Sequence, residues 1–121
     1  MFWRSGYADS LPASIGSQGM ESLVALEVVA IIKAKEGKAD VVREAMGSLM
    51  GPSRQDKGCL RYDLYEVADA PGTFVNIETW ASHEDINAHL AQPHLGAAFA
   101  NAGDALDGAP QILMLNPVDV A

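Results

Sequence analysis

The chain has 121 residues, 49% of them apolar, which is enough for one domain with a single small core. Sixteen acidic and eight basic side chains give a formal net charge of -8, and the basic residues are scattered, so a nucleic-acid partner is not expected. No apolar run approaches the roughly 18 residues of a membrane span, and the single cysteine cannot form an internal disulfide, so we expect a protein of the reducing cytoplasm.

The first 22 residues differ from the rest of the chain. They mix aromatic residues with Ser, Gly and Pro and show no hydrophobic period. They also lack the continuous apolar segment of a secretory signal. We therefore predict an irregular N-terminal arm over residues 1–22 and a folded domain over residues 23–121.

The first half of this domain predicts a strand followed by a helix. Leu23 to Lys35 is rich in β-branched residues and is largely apolar on both of its alternating faces. After Gly37, apolar residues recur at helical spacing from Val42 to Met50. We expect the helix to end near Gly51-Pro52, because proline removes a backbone donor and clashes with the preceding turn.

A β-hairpin is predicted in the middle of the chain. One strand runs from Cys59 to Val67, and the turn residues Asp69-Ala70-Pro71-Gly72 lead directly into a strand from Thr73 to Trp80. Two strands joined by so short a turn are expected to pair antiparallel.

A helix and a last strand complete the second half. Ser82 can cap a helix that Pro93 breaks or kinks, and residues His94 to Leu106 continue helically. Gln111 to Asn116 then predicts the final strand. The order β-α-β-β-α-β indicates an α+β fold of ferredoxin-like type, with both helices on one face of an antiparallel sheet.

The other face of this sheet predicts self-association. It would carry apolar residues from the first and third strands, among them Val75 and Ile77, without helices to cover them. Such a patch is larger than monomers usually expose. We expect a homodimer in which two bare sheet faces pack together.

The strand from Thr73 to Trp80 carries the candidate site. Side chains alternate with period two, so Phe74, Asn76, Glu78 and Trp80 share one face. A buried amide without a partner costs about 1–3 kcal/mol, so Asn76 either bonds a structural partner or presents its amide to a ligand in a cavity. Both interpretations remain open at this stage.

Histidine and tyrosine side chains add to this site. His89 shares a helical stripe with Ile86 and Leu90, and its near-neutral pKa suits either proton transfer or a structural hydrogen bond. Tyr62 and Tyr65 lie on opposite faces of their strand, so one is expected in the pocket and the other at the dimer interface.

The sequence does not predict a metal or nucleotide site. His83, His89 and His94 are spaced by six and five residues, which is not the i, i+4 pair of a helical metal site. Cys59 has no evident base beside it. No glycine-rich phosphate loop follows a strand, so we expect no cofactor.

The residues of the second half resemble the antibiotic biosynthesis monooxygenase family. The similarity extends over about Leu23 to Pro117, and it is more specific for fold than for reaction. Four segments carry it: Gly58–Leu64, Pro71–Phe74, Glu78–Trp80 and His89–His94.

This resemblance implies a dimeric α/β barrel and several possible activities. Family members include cofactor-free monooxygenases of quinols and polyketide anthrones, haem-degrading oxygenases and an isomerase. The cofactor-free enzymes use an Asn and a Trp at the spacing of Asn76 and Trp80. Ile86 and Phe99 stand where those enzymes have a tyrosine and an arginine, and Val29 stands where the haem-degrading members have an asparagine.

The resemblance and the residues together favour a cofactor-independent monooxygenase that acts on a quinol-like or polyphenolic small molecule with dioxygen. The alternative is a family member that is not an oxygenase, either an isomerase or a small-ligand-binding dimer, and haem degradation is a weaker reading. The candidate catalytic residues are Asn76, Trp80 and His89. The candidate substrate-binding residues are Tyr62, Phe74, Ile86, Leu90 and Phe99.

Overall fold

The computed structural model describes residues 25–118, so the arm predicted over residues 1–22 lies outside the described part. Four strands alternate with two pairs of helices. In chain order, the elements are β1 (Leu26–Lys33), α1 (Ala39–Gly47), α2 (Met50–Arg54), β2 (Cys59–Glu66), β3 (Thr73–Trp80), α3 (His83–Leu90), α4 (Pro93–Ala102), a 3₁₀ turn (Gly103–Ala105) and β4 (Gln111–Leu115).

The strands form one antiparallel sheet in the order β2-β3-β1-β4. The hairpin of β2 and β3 is formed as predicted, and Gly72 closes it with a φ of 90° that favours glycine. The two central strands, β1 and β3, pair along their whole length, and Ala30 of β1 lies opposite Asn76 of β3. The ferredoxin-like α+β prediction is confirmed.

The first helical segment differs from its prediction. The helix ends at Gly47, and a second short helix, Met50–Arg54, contains the expected stop at Gly51-Pro52. Proline is tolerated in the first turn of a helix, where its missing donor would have no partner. Pro52 therefore lies inside the beginning of α2 rather than beyond the end of α1.

The second helical segment follows its prediction more closely. The Ser82 hydroxyl accepts a hydrogen bond of 3.1 Å from the Asp85 amide and caps α3. Pro93 is the first residue of α4. The helix predicted to reach Leu106 ends at Ala102 and passes into the 3₁₀ turn, where Gly103 has a positive φ.

The sheet has one covered and one bare face. On β3, the side chains that face the helices are buried, whereas Val75 and Ile77 on the opposite face are half-buried. All five residues of β4 are exposed in the single chain, including Ile112 and Leu113. None of the described helices is long and apolar enough to cross a membrane.

Candidate functional site

A cavity lies between the covered face of the sheet and the α3–α4 pair. Its free space is about 30 Å³, which is room for about two water molecules. Most of its wall is apolar, and it reaches the surface beside Leu90 and Ile112, which are 40% and 45% exposed. Four polar side chains enter the wall: Tyr62, Asn76, Glu78 and His89.

The Asn76 amide is only half satisfied. Its Nδ2 donates a hydrogen bond of 3.1 Å to the Tyr62 hydroxyl, but its Oδ1 is buried and has no partner among the described residues. Turning the amide over would leave Nδ2 unpartnered instead, so one polar atom lacks a partner in either orientation. A buried polar atom of this kind costs about 1–3 kcal/mol unless a ligand or water pairs with it.

Burial also keeps the Tyr62 hydroxyl neutral. It raises the pKa of Tyr62 well above its ordinary value, and the negative charge of Glu78 acts in the same direction. The hydroxyl therefore retains its proton and remains able to donate a hydrogen bond.

Glu78 is a buried carboxyl group next to Asn76 on the same strand face. Its Oε1 accepts a hydrogen bond of 2.9 Å from Trp80 Nε1. Burial raises the pKa of Glu78 above its ordinary value, while the Trp80 hydrogen bond and His89 act in the opposite direction. A carboxyl group with a raised pKa can exchange a proton with a bound molecule nearer to neutral pH.

Replacement of Glu78 by Gln is expected to stabilise the fold at pH 8, because burial disfavours the ionised carboxylate that glutamine replaces. Because the folded-state pKa is raised, the stability contribution of Glu78 is full below its unfolded pKa and falls as the pH rises through its folded pKa. Glutamine stays neutral and can still accept from Trp80. The difference in unfolding free energy between Glu78→Gln and the wild type, measured by urea unfolding, should therefore shrink toward pH 4.

Glu44→Gln on the surface of α1 is the control, because Glu44 is exposed. It should leave the pH dependence of stability unchanged. A Glu78→Gln variant that is less stable than the wild type at pH 8 would contradict the prediction, since it would mean that the ionised carboxylate stabilises the fold.

His89 is held on three sides. Its Nδ1 lies 2.8 Å from Asp56 Oδ2, and its ring lies 4.5 Å from the Trp80 ring and 5.6 Å from the Tyr62 ring, measured between centroids. A carboxylate can only accept, so this contact places a proton on Nδ1. The other nitrogen, Nε2, has no hydrogen-bond partner among the described residues, and in the neutral ring it is an acceptor.

Six of the eight predicted site residues line the cavity, and two do not. The six are Tyr62, Asn76, Ile86, His89, Leu90 and Phe99. Trp80 is fully buried behind His89, and Phe74 packs below the Arg43 guanidinium at 5.5 Å. The alternation of side chains along β3 correctly assigns the helix-facing residues to one face. That face is about 26 Å long for eight residues, so it extends beyond the cavity at both ends.

Three polar residues at or beside the cavity were missed by the sequence analysis. Glu78 was recognisable from its place between Asn76 and Trp80 on one strand face. Asp56 lies in the α2–β2 loop, whose path no sequence period predicts. His94 approaches within 3.1 Å of Asp56 because the helix is interrupted at Pro93, whereas a continuous helix would turn residues 89 and 94 about 140° apart.

Comparison with known proteins identifies the family. The sequence profile described as "Antibiotic biosynthesis monooxygenase" matches residues 25–101. The chain belongs to this family. The resemblance seen in the sequence is therefore confirmed, and the matched range contains every candidate site residue.

Relatives and solved structures agree with this assignment. The chain is 30% identical over 94 residues to "Putative monooxygenase Rv0793" of Mycobacterium tuberculosis, covering 78% of this chain and 92% of that protein. It is 32% identical over 81 residues to "Putative monooxygenase YcnE" of Bacillus subtilis, covering 67% and 84%.

Two solved structures in the same range share the fold. The structure of Rv0793 superposes with a TM-score of 0.71 at 29% identity and covers 80% of this chain and 98% of that one. PA3566 from Pseudomonas aeruginosa gives a TM-score of 0.71 at 28% identity, with coverage of 78% and 95%.

Proposed function

We propose that this family member is a cofactor-independent monooxygenase that acts on a quinol-like or polyphenolic small molecule. The observation that supports it is the unpartnered amide oxygen of Asn76, buried in an apolar cavity beside a carboxyl group and an imidazole. A phenol is a suitable partner because its hydroxyl can donate to Oδ1 while its ring packs against the apolar wall of the cavity. The names of the relatives Rv0793 and YcnE point to the same class of reaction.

In the proposed reaction, the substrate itself supplies the electrons. Glu78 or His89 Nε2 takes the phenolic proton, and the resulting anion gives an electron to dioxygen, after which the two radicals combine as a peroxide. A proton returned by the same group gives a hydroperoxide. Loss of the ring C–H proton at that carbon to the same group then forms the C=O bond and breaks the O–O bond, and the hydroxide released leaves as water. The balance is quinol plus dioxygen giving hydroxyquinone plus water, so one oxygen atom remains on the ring and the other leaves in water.

Each protein group has a defined part in this scheme. Asn76 Oδ1 accepts from the substrate hydroxyl, and Tyr62 fixes the amide. Once that oxygen is an anion it needs a donor, so the amide turns over: the Tyr62 hydroxyl then donates to Oδ1, and Nδ2 donates to the substrate oxygen. Trp80 touches neither the cavity nor the substrate and acts as a positioning residue, because it holds the Glu78 carboxyl and stacks on His89. The apolar wall excludes water from the charged intermediates, which strengthens these polar contacts.

A ring can enter only if part of the wall moves. Free space of about 30 Å³ accommodates dioxygen or water but not an aromatic ring. The side chains at the outer end of the cavity, Leu90, Phe99 and Ile112, are all partly or largely exposed and can turn outward. We therefore expect the substrate to enter at this end, with its reacting oxygen innermost at Asn76.

Oxygen uptake tests the proposal directly. The purified protein should consume dioxygen with one or more members of a panel of hydroquinones, in buffer that contains a chelator and no added flavin or haem. Stoichiometric hydroxyquinone formation should accompany uptake, while boiled protein gives the uncatalysed rate. Uptake that never exceeds this rate across the panel, or that requires an added cofactor, would contradict the proposal.

The second candidate is an isomerase of a small carbonyl compound. The pairing of two proton-transfer groups, Glu78 and His89, in one cavity favours it, since moving a proton between neighbouring carbons needs no dioxygen. Solvent deuterium incorporation into a bound hydroxyketone without oxygen uptake would distinguish it from the oxygenase.

We also propose that two chains associate through the bare face of the sheet. On this face, Val75 lies opposite Ile31 in β1 and Tyr65 in β2, and Leu113 of β4 lies opposite Val29. These side chains are half-buried or exposed in the single chain, and no described helix covers them. Tyr65, which is 47% exposed, then becomes an interface residue as its sequence position predicts.

We place the protein in the reducing cytoplasm. Burial raises the pKa of the Cys59 thiol to about 11, so the chain's single cysteine stays protonated and is a poor nucleophile. A thiol of this kind is compatible with a reducing compartment and adds no chemistry to the cavity.

A further inference from the structure

We propose that Asp56, His89 and His94 form a binding site for a divalent first-row transition-metal ion, on the side of His89 that faces away from the cavity. The three side chains each offer one donor atom, and these atoms all lie within 4.8 Å of one another. The proposal goes beyond the proposed oxygenase reaction, in which no metal takes part.

The spacing of the donors matches a coordination sphere. Asp56 Oδ2 lies 2.8 Å from His89 Nδ1 and 3.1 Å from His94 Nε2. Zinc binds imidazole nitrogen and carboxylate oxygen at about 2.0–2.2 Å, so neighbouring ligands are about 3.0 Å apart in an octahedron and about 3.4 Å apart in a tetrahedron. The two imidazole nitrogens lie within 4.8 Å of each other, so an ion that replaces the shared protons would draw the two rings together around it.

Separate elements hold the three donors in place. Asp56 is fixed in its loop by backbone hydrogen bonds to Ser53 and from Cys59. Gly58 keeps this loop against α3 with a φ of 81°, and a Cβ there would overlap the Asp85 carboxylate. His89 is held by its stacking on Trp80. The donors are thus arranged before any ion arrives.

Chemistry and access select the kind of ion. Two imidazoles and one carboxylate suit zinc and its first-row neighbours, whereas magnesium and calcium prefer oxygen ligands alone. Three protein ligands leave at least one position open for water. The Asp56 and His89 side chains are 10% and 2% exposed, and His94 at 24% provides the side from which an ion can enter.

An ion at this site would change the cavity through His89. Without an ion, Asp56 accepts a hydrogen bond from His89 Nδ1–H, and Nε2 of the neutral ring is an acceptor. An ion on Nδ1 displaces that proton, and the neutral ring then carries its proton on Nε2. Metal binding would therefore convert the nitrogen left free beside the cavity from a hydrogen-bond acceptor into a donor.

Competition with a chromophoric chelator measures the affinity of the site for Zn²⁺. The full chain, stripped of metal, should bind one Zn²⁺ at micromolar concentration, and Co²⁺ should give a visible spectrum typical of a nitrogen–oxygen site. His94→Gln should weaken Zn²⁺ binding at least about 100-fold, since loss of an outer partner alone costs 10–100-fold. His83→Gln, at an exposed histidine of α3, is the matched control and should bind as the wild type does.

Asp56→Asn provides a second variant, with folding checked by circular dichroism, and should also lose Zn²⁺ binding. In ¹⁵N spectra of the imidazoles, Zn²⁺ should move the His89 proton from Nδ1 to Nε2. Equal affinities in His94→Gln and His83→Gln, or no binding at micromolar Zn²⁺, would overturn the proposal and leave a hydrogen-bonded triad. Because none of these measurements uses oxygen uptake, the oxygenase proposal and this one fail independently.

Discussion

Replacing Asn76 with alanine is expected to lower quinol-dependent oxygen uptake by about 10²–10³-fold. In the proposed scheme its Nδ2 is a preorganised donor to the substrate oxyanion, and loss of one such donor typically costs this much in rate. Stability should change far less, because the Asn76 side chain makes one hydrogen bond within the described residues, to Tyr62, and its other amide atom has no partner there to lose. Oxygen-electrode rates and urea unfolding of the same preparation separate the two effects.

Two further variants make this result specific. Asn87→Ala, at an exposed position of α3, should retain full uptake. Trp80→Phe keeps an aromatic ring beside His89 but removes the hydrogen bond to Glu78, which raises the pKa of Glu78 further and moves the acidic limb of the pH–rate profile to higher pH. Unchanged uptake in Asn76→Ala and an unshifted profile in Trp80→Phe would leave both as core residues without a part in the reaction.

Replacing Val75 with aspartate is expected to dissociate the proposed dimer or unfold the chain. Val75 lies at the centre of the bare sheet face, between Ile31 and Tyr65. A carboxylate buried there without a partner costs several kcal/mol, and two-fold symmetry introduces it twice. Light scattering at micromolar protein should give the mass of one chain for the variant and of two chains for the wild type.

Val41→Asp is the matched control, because Val41 is a valine on α1 that is 43% exposed and remote from the bare face. It should remain dimeric. A wild-type mass corresponding to one chain at micromolar concentration would refute the interface, whatever the variants do.

The sheet and its helix-covered face were predictable because they depend on a short-range period. Alternation along β3 directs Asn76 to the helices and Val75 to the opposite side, and the paired strands preserve that division across the sheet. Ser82 was equally readable, since a cap is a property of three or four neighbouring residues. The resemblance to the family suggested the ligand class that we propose, but it did not give the geometry.

The features that the sequence did not predict depend on where the helices begin and end. A proline begins a helix as readily as it ends one, so Pro52 and Pro93 did not by themselves fix the helix boundaries. The contact of Asp56 with His89 and His94 joins residues 33 and 38 positions apart, through a loop and a helix break. Such distances are set by tertiary packing alone. Packing also determines that Trp80 is buried behind His89 and does not line the cavity.

The last strand leaves an unprotected sheet edge in the single chain. Within the described residues, β4 is an edge strand bonded only to β1, and its sequence Gln-Ile-Leu-Met-Leu contains no charge or proline. Natural proteins protect such edges with lysine, proline or a bulge, because a bare apolar edge adds further strands from other molecules. A newly made chain at high local concentration is therefore prone to open-ended strand addition for as long as this edge is uncovered.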